Sequence, residues 1–427
     1  MKLFRSILFW AHLATGLVAG LVIAVMCFTG AALAFEHEIV AWAERDARQV
    51  PAPAADAPRL SIDELRQKLR EAQPEFRPNA VTVINEPTAA VLFAAGRDGG
   101  HYANPYTGEI KQPASVRVHE FMHVMTDWHR YLALAGDNRP HGKLVTGICN
   151  LAFCGLALTG LYLWWPRTLT WRGLKAVAIF NWRLTGKARE FNWHNSIGLW
   201  TAPVLVVLTL TAVPISFRWG GDLIYRLTGE EPPAATGPAA APAVEIKRPS
   251  PDARPLPQAD LLARVQATIP GWEQITLRTG PGRGPGAPAR PAAAGGANPA
   301  AESPAARSEP RTPQAITATV REAGSWPRTA TTTLTLDPFT GQILQRTGYA
   351  ELSPARKIRS WTRFLHTGQA LGWPGQLVAG LACLGGLFLV YTGYALSARR
   401  FFGRKPAATS AAQAAAVTER DREVLVP

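Results

Sequence analysis

Nine histidines carry most of the chemistry this sequence can offer: His12, His37, His101, His119, His123, His129, His141, His194 and His366. Four of them stand in recurring surroundings. His12 begins "HLATGLVAGLVIAVMCFTGAALAF" and His194 begins "HNSIGLWTAPVLVVLTLTAVPISF". In both, Gly follows four residues on (Gly16, Gly198), Thr seventeen on (Thr29, Thr211) and Phe twenty-three on (Phe35, Phe217). His129, in "HRYLALAGDNRPHGK", aligns with His366, in "HTGQALGWPGQ", once four residues are removed. Two neutral imidazoles meeting at one depth of a helical bundle can supply both axial ligands of a b-type haem. The spacing pairs His12 with His194 and His129 with His366, which would give two haems, one near each face of a membrane. Zinc suits the pattern less, because it takes three or four ligands and each level offers two histidines. No C-x-x-C-H occurs, so covalent attachment of a c-type haem is excluded. Gly16 and Gly198, one turn beyond their histidines, are expected to let a flat macrocycle approach the backbone.

The elements that must position these residues are four apolar runs: Leu3–Phe35, Leu144–Trp165, Ile197–Phe217 and Leu377–Leu396. Each reaches the length of about 20 residues that a helix needs to cross the hydrocarbon core. The first has a basic start and an Ala32–Leu33–Ala34 triplet like a cleavage site. It is about twice as long as the apolar region of a signal peptide, so it is expected to remain as a span. Lys2 and Arg5 precede span one, and Arg399, Arg400, Arg404 and Lys405 follow span four. Between spans two and three lie Arg167, Arg172, Lys175, Arg183, Lys187 and Arg189 against one acid, Glu190. The excess of Lys and Arg places these segments, and both termini, in the cytoplasm. The long stretches 36–143 and 218–374 then lie outside. The net charge of +14 is partly this topology signal, and it calls for no nucleic acid. Mean hydropathy near zero fits spans alternating with polar segments.

Spans two and four also match. "GKLVTGICNLAFCGLALTGLY", from Gly142, aligns without gaps with "GQLVAGLACLGGLFLVYTGYA", from Gly375, so that Thr159–Gly160 falls on Thr392–Gly393. The outer stretches repeat as well: "SIDELRQKLREAQPEFRPNAVTV" with "PQADLLARVQATIPGWEQITLRT", and "YANPYTGEIK" with "TLDPFTGQIL". Each copy reads as a helix on a small antiparallel sheet. The expected fold is a four-helix membrane bundle with two outer α+β domains. It forms a tandem parallel repeat about a pseudo-twofold axis along the membrane normal. The expected divisions are span one at 1–36, outer domain one at 37–128, an outer segment with span two at 129–166, and a basic loop at 167–192. Span three follows at 193–218, outer domain two at 219–365, an outer segment with span four at 366–398, and a cytoplasmic tail at 399–427. Residues 279–314, 232–256 and the tail beyond Lys405 are rich in Pro, Ala and Gly and read as disordered.

The remaining candidates have plainer readings. His119 and His123 share a helical face and lack counterparts in copy two. They read as a solvated pair on an outer helix, with substrate contact or ligation as the alternatives. His141 is a reserve ligand, and His37 and His101 are surface residues. Cys27, Cys149, Cys154 and Cys383 all fall inside spans and read as small buried residues rather than a disulfide framework. "GLYLWWPR", Trp182, Trp193 and Trp200 suit an interfacial aromatic belt.

Taken together, "HLATGLVAGLVIAVMCFTGAALAFE", "DWHRYLA", "GKLVTGICNLAFCGLALTGLYLWWPR", "FNWHNSIGLW", "LHTGQALGWPGQLVAG" and "DPFTGQIL" resemble the PepSY-associated transmembrane family. Within it, they most resemble the ferrisiderophore reductases of the bacterial inner membrane. The resemblance implies two outer PepSY-like domains in the periplasm. It also implies a haem b protein of the cytoplasmic membrane that carries electrons outward and reduces Fe(III) in a siderophore, releasing Fe(II). The family's haem histidines carry over onto His12, His129, His194 and His366. The electron donor is not evident, since no G-x-G-x-x-G follows a strand and no flavin domain is recognisable. A different class of function stays open: PepSY domains are also associated with restraint of peptidases, so the chain could be a membrane-anchored regulator or binding module without redox chemistry.

Overall fold

Among the described residues, four helices long and apolar enough to cross a membrane organise the chain. The computed structural model describes residues 2–402, except 52–53, 55–56, 97–98, 113–114, 166–169, 234–245, 247, 251 and 280–313. Most of the insert read at 279–314, half of that at 232–256, and the tail beyond Lys405 therefore lie outside the described residues.

In chain order, the first spanning helix is α1 (Lys2–Leu33), followed by short helices α2 (Glu36–Ala43) and α3 (Arg45–Arg48). Helix α4 (Ile62–Ala72) leads into strands β1 (Ala80–Ile84), β2 (Val91–Ala95), β3 (Gly99–Ala103) and β4 (Ile110–Lys111). Helix α5 (Val116–Tyr131) returns the chain to the bundle, where α6 (Arg139–Trp164) spans it. The connection carries α7 (Trp171–Ala178), and α8 (Gly186–Ser216) spans again, followed by α9 (Arg218–Leu227). The second outer segment has α10 (Gln258–Thr268), β5 (Trp272–Thr279), β6 (Ile316–Glu322), β7 (Thr332–Leu336) and β8 (Ile343–Thr347). Helix α11 (Pro354–His366) and the spanning helix α12 (Trp373–Phe401) complete the described chain.

In the bundle, α1 packs on α6 and α12, and α8 packs on the same two neighbours, so α1 and α8 stand on one diagonal. Large apolar side chains such as Val18, Leu21, Leu158 and Leu381 cover the outside, as a lipid-facing surface requires. Helix contacts come in matched sets. The ring of Phe35 fills the space that a Cβ on Gly380 would take, and Phe217 does the same against Gly147. Gly142 and Gly375 open α6 and α12 against the carbonyls of Tyr131 and Gly368, which leave no room for a side chain. At the end away from the sheet, Arg399 forks onto the buried Glu190 at 2.7 and 2.8 Å, and Arg5 donates to the Leu163 carbonyl at 2.6 Å.

The outer segments differ from the expectation of two separate domains. Their strands form one antiparallel sheet in the order β4-β3-β2-β1-β5-β6-β7-β8. The seam is β1 on β5, centred on Thr82 opposite Thr276, whose hydroxyls lie 2.9 Å apart. An exposed strand edge carries unpaired amides and carbonyls, and joining the two edges satisfies both. One apolar core runs beneath both halves, with Leu65 and Leu69 of α4, Leu261 and Val265 of α10, and Val81, Phe93, Ile275, Val320 and Leu334 of the sheet. Asp63 of α4 accepts from the first amides of α10, at Gln258 (3.2 Å) and Ala259 (2.9 Å), and so caps a helix of the other half. The two Thr-Gly turns share their wiring. Asn104 accepts from the amides of Tyr106 and Thr107, and Asp337 accepts from those of Phe339 and Thr340.

Candidate functional site

His12 sits on α1 with its Nδ1 2.8 Å from the Thr159 hydroxyl of α6. His194 sits on α8 with its Nδ1 2.8 Å from the Thr392 hydroxyl of α12. The two imidazoles thus come from diagonal helices, each held by the helix between. Beside them are Gly160 and Gly393, where an added Cβ would touch the Cε1 of His12 at 3.5 Å and of His194 at 3.8 Å.

The other two histidines lie toward the sheet, on helices that do not span. His129 is near the end of α5, with its Nδ1 3.0 Å from the Thr29 hydroxyl of α1. His366 is the last residue of α11 and donates from Nδ1 to the Leu208 carbonyl of α8 at 2.9 Å. Their ring centres are 6.2 Å apart. A metal bonded to both at about 2 Å would set the ring centres roughly 6 Å apart, once the distance from nitrogen to ring centre is counted on each side. Burial pushes the His129 imidazole down to about 4, helped by the adjacent His366 ring. Burial also lowers His366, against the opposing effect of its hydrogen bond to Leu208. Both are neutral at neutral pH, as a ligating imidazole must be. Along α1, Thr29 is seventeen residues from His12, so the two levels stand about 25 Å apart at 1.5 Å per residue.

The structure therefore brings His129 to His366 and sets His12 and His194 on diagonal helices of the bundle, each against a threonine of a neighbouring helix. At all four, Nδ1 is the engaged nitrogen and none of the hydrogen bonds involves Nε2. Imidazoles in twos, flanked by glycine at three of the four rings, fit the needs of haem. Among the described residues, no group of three or more His, Cys, Asp and Glu side chains could hold a metal ion.

Other expectations need correction. Gly16 and Gly198 face leucines of neighbouring helices, Leu156 and Leu389, while the glycines at the imidazoles are Gly160, Gly393 and Gly30. His119 is not a solvated partner of His123. Its Nε2 lies 2.7 Å from Glu44, a buried carboxylate that also accepts from Tyr102, Ser115 and Arg48. Burial alone would raise the Glu44 carboxyl, but bonds from His119, Ser115, Tyr102 and Arg48 hold it below its ordinary range. The equivalent turn of copy two is simpler, with Glu230 accepting from the Ser353 hydroxyl and the Ala355 amide. His101 is not at the surface. It is 7 % exposed and packs against Phe76 at 4.4 Å, because it points to the helix-covered face of β3. His37, His123 and His141 are exposed. Trp165, Trp182 and Trp200 are exposed as a belt requires, whereas Trp193 is half-buried against Phe388. Cys27 and Cys154 are buried, Cys149 and Cys383 half-buried, and all four are free thiols.

The residues that the histidine spacing alone did not reveal are Thr29, Thr159 and Thr392. Their signal was present, since each recurs between copies at a fixed distance from a histidine or a glycine.

A family model for the PepSY-associated TM region matches residues 9–400, and the chain belongs to that family. None of the curated proteins matches it.

Proposed function

We propose that this chain is a di-haem b protein of the bacterial inner membrane. It would pass electrons outward to reduce ferric iron in a siderophore or similar chelate, releasing Fe(II) on the periplasmic side. In this reading the chain is two copies of one unit about an axis along the membrane normal, with both termini cytoplasmic and the sheet periplasmic. The observation that carries it is the set of four imidazoles on two levels about 25 Å apart along the bundle. Each is anchored through Nδ1, with Nε2 left to ligate.

Bound haem supplies one-electron Fe(III)/Fe(II) chemistry, with a potential set by its axial ligands and surroundings. The chain's own residues do the rest. His12 and His194 hold the far level, and His129 and His366 hold the sheet level. The apolar spans exclude water between them. Each ferric ion reduced outside takes one electron, which must enter at the far end from another protein, a quinol or a soluble reductant. Reduction weakens the grip of hard oxygen ligands on iron, which accounts for release.

The test is a reduced-minus-oxidised spectrum of the purified protein with haem quantified per chain. Two haems b per chain are expected, followed by Fe(II) formation from a ferric siderophore once the protein is chemically reduced. A colourless protein would overturn the reading and favour the membrane-anchored regulator. A haem protein that leaves every ferric chelate untouched would overturn the substrate alone.

A further inference from the structure

Proton accounting at the four histidines leads past ligation itself. Thr159 donates its hydroxyl hydrogen to the Gly155 carbonyl at 2.7 Å, Thr392 to Phe388 at 2.9 Å, and Thr29 to Val25 at 2.7 Å. A threonine bonded back to its own helix in this way has no hydrogen left to give. Its oxygen can only accept from the imidazole nearby. The carbonyl of Leu208 can only accept as well, so His366 must carry its proton on Nδ1. We infer that Thr29, Thr159 and Thr392 are positioning residues that lock His129, His12 and His194 in the Nδ1–H tautomer, presenting the Nε2 lone pair to iron. Free imidazole in histidine prefers the opposite form, with the proton on Nε2, which cannot ligate through that nitrogen. The lock is therefore a device, not a default. Its bearing on iron rests on the haem reading above; the tautomers themselves do not.

The repeat makes the inference sharper. Thr211 occupies in copy two the place of Thr29 in copy one. Yet His366 bypasses it. Thr211 donates to Val207 at 2.7 Å and shares the Leu208 carbonyl at 3.0 Å, and His366 takes that same carbonyl directly. The local cause is the chain. His366 ends α11, whereas α5 runs on to Tyr131 beyond His129, and the turn to the next span is shorter by four residues in copy two. Thr211 is thus a helix threonine with no imidazole to position, whereas His129 meets the Thr29 hydroxyl as well as the Met26 carbonyl that corresponds to Leu208. An axial imidazole whose Nδ1–H loses its acceptor is a weaker electron donor, which favours Fe(II) and raises the potential of its haem.

Two measurements test this. In full-length protein made without haem, with 15N-labelled histidine and placed in bilayers, the nitrogen shifts should report Nδ1–H at His12, His129, His194 and His366. Thr159→Val, Thr392→Val and Thr29→Val should each move one histidine, His12, His194 and His129 in turn, toward Nε2–H. Thr211→Val should move none. In haem titrations, the first two variants should weaken the far site and Thr29→Val the sheet-end site by about 10–100-fold, as loss of such outer partners does. Haem that still binds should show a raised midpoint potential. Thr→Ser at each position should restore both tautomer and affinity, which separates a lost hydroxyl from a disturbed fold. Valine variants unchanged in tautomer, affinity and potential would overturn the lock while leaving a two-haem protein standing. Thr211→Val acting like Thr29→Val would overturn the asymmetry. Nδ1–H tautomers in a wild type that takes up no haem would sink the cofactor reading and keep the lock.

Discussion

At the end of the bundle away from the sheet, both imidazoles belong to spanning helices, and both meet a threonine of the helix next door. At the sheet end, neither imidazole belongs to a spanning helix. His129 and His366 ride on α5 and α11, which hang between the bundle and the outer layer. The far pair is therefore fixed by helix packing in the membrane, with Arg399 and Glu190 closing α12 onto α8 below it. The near pair depends also on how the outer layer holds two short helices. Copy one holds α5 through the buried Glu44 cluster, and copy two holds α11 through Glu230 and Ser353. Two pairs of histidines can thus answer to different parts of the molecule. A change outside the membrane should reach one and spare the other.

The largest effect should come from the ligands. His12→Ala or His194→Ala should remove the far haem and leave the near one, halving haem per chain in a pyridine haemochrome assay. His129→Ala or His366→Ala should do the reverse, and potentiometric titration should show a different component missing in each case. Any single substitution that empties both levels would break the division between the two ends.

Next in size is Glu44→Gln. The buried carboxylate accepts from four side chains, and the amide cannot serve them all, which costs about 1–3 kcal/mol for each group left unsatisfied. Urea unfolding of the detergent-solubilised protein should show it, together with reduced haem occupancy at the sheet end only. Glu230→Gln should do less, because fewer partners depend on it. Equal occupancy at both ends in Glu44→Gln would refute the link from outer layer to near site.

Acid should trace the same difference more gently. Glu44 is held below its ordinary carboxylate value when folded, so its contribution is complete above the unfolded value and is lost as pH falls through the folded one. Stability measured from neutral pH down to about 3 should therefore fall more steeply at the acid end in wild type than in Glu44→Gln. The smallest effect is expected from the insert. Thr279 and Ile316 face each other across the β5–β6 pair. Replacing residues 280–315 with Asn-Gly leaves a two-residue hairpin turn. Haem content and unfolding midpoint should be unchanged, and loss of either would give the insert a structural task.

Much of this arrangement was legible in the residues. The spans declared themselves by length, and the meeting of His129 with His366 by the alignment of the segments before spans two and four once four residues are removed. The structure starts α8 at Gly186, seven residues before the expected 193, because "GKAREFN" continues the helix past the apolar stretch. What the residues did not disclose was mostly three-dimensional accounting. Nothing in a strand's composition says whether its edge meets solvent or another strand, so the β1–β5 seam was invisible. His101 looked like a surface residue because, in "GGHYA", only the small Ala103 marks the same inner face. His119 looked solvated because its partner, Glu44, lies seventy-five residues away.

The β1–β5 seam has a consequence for any half of this chain. Its strands run antiparallel about a centre at Thr82 and Thr276, so each half offers the other the same edge in return. That is the form of an isologous contact between identical subunits. Residues 1–185 alone would end in an open sheet and two unmatched imidazoles, His12 and His129. Both deficits are cured by one event, association of two such pieces face to face. In the full chain the linkage makes that association permanent, and the two halves need not be identical: Glu44 gathers four side chains where Glu230 accepts from the Ser353 hydroxyl and the Ala355 amide.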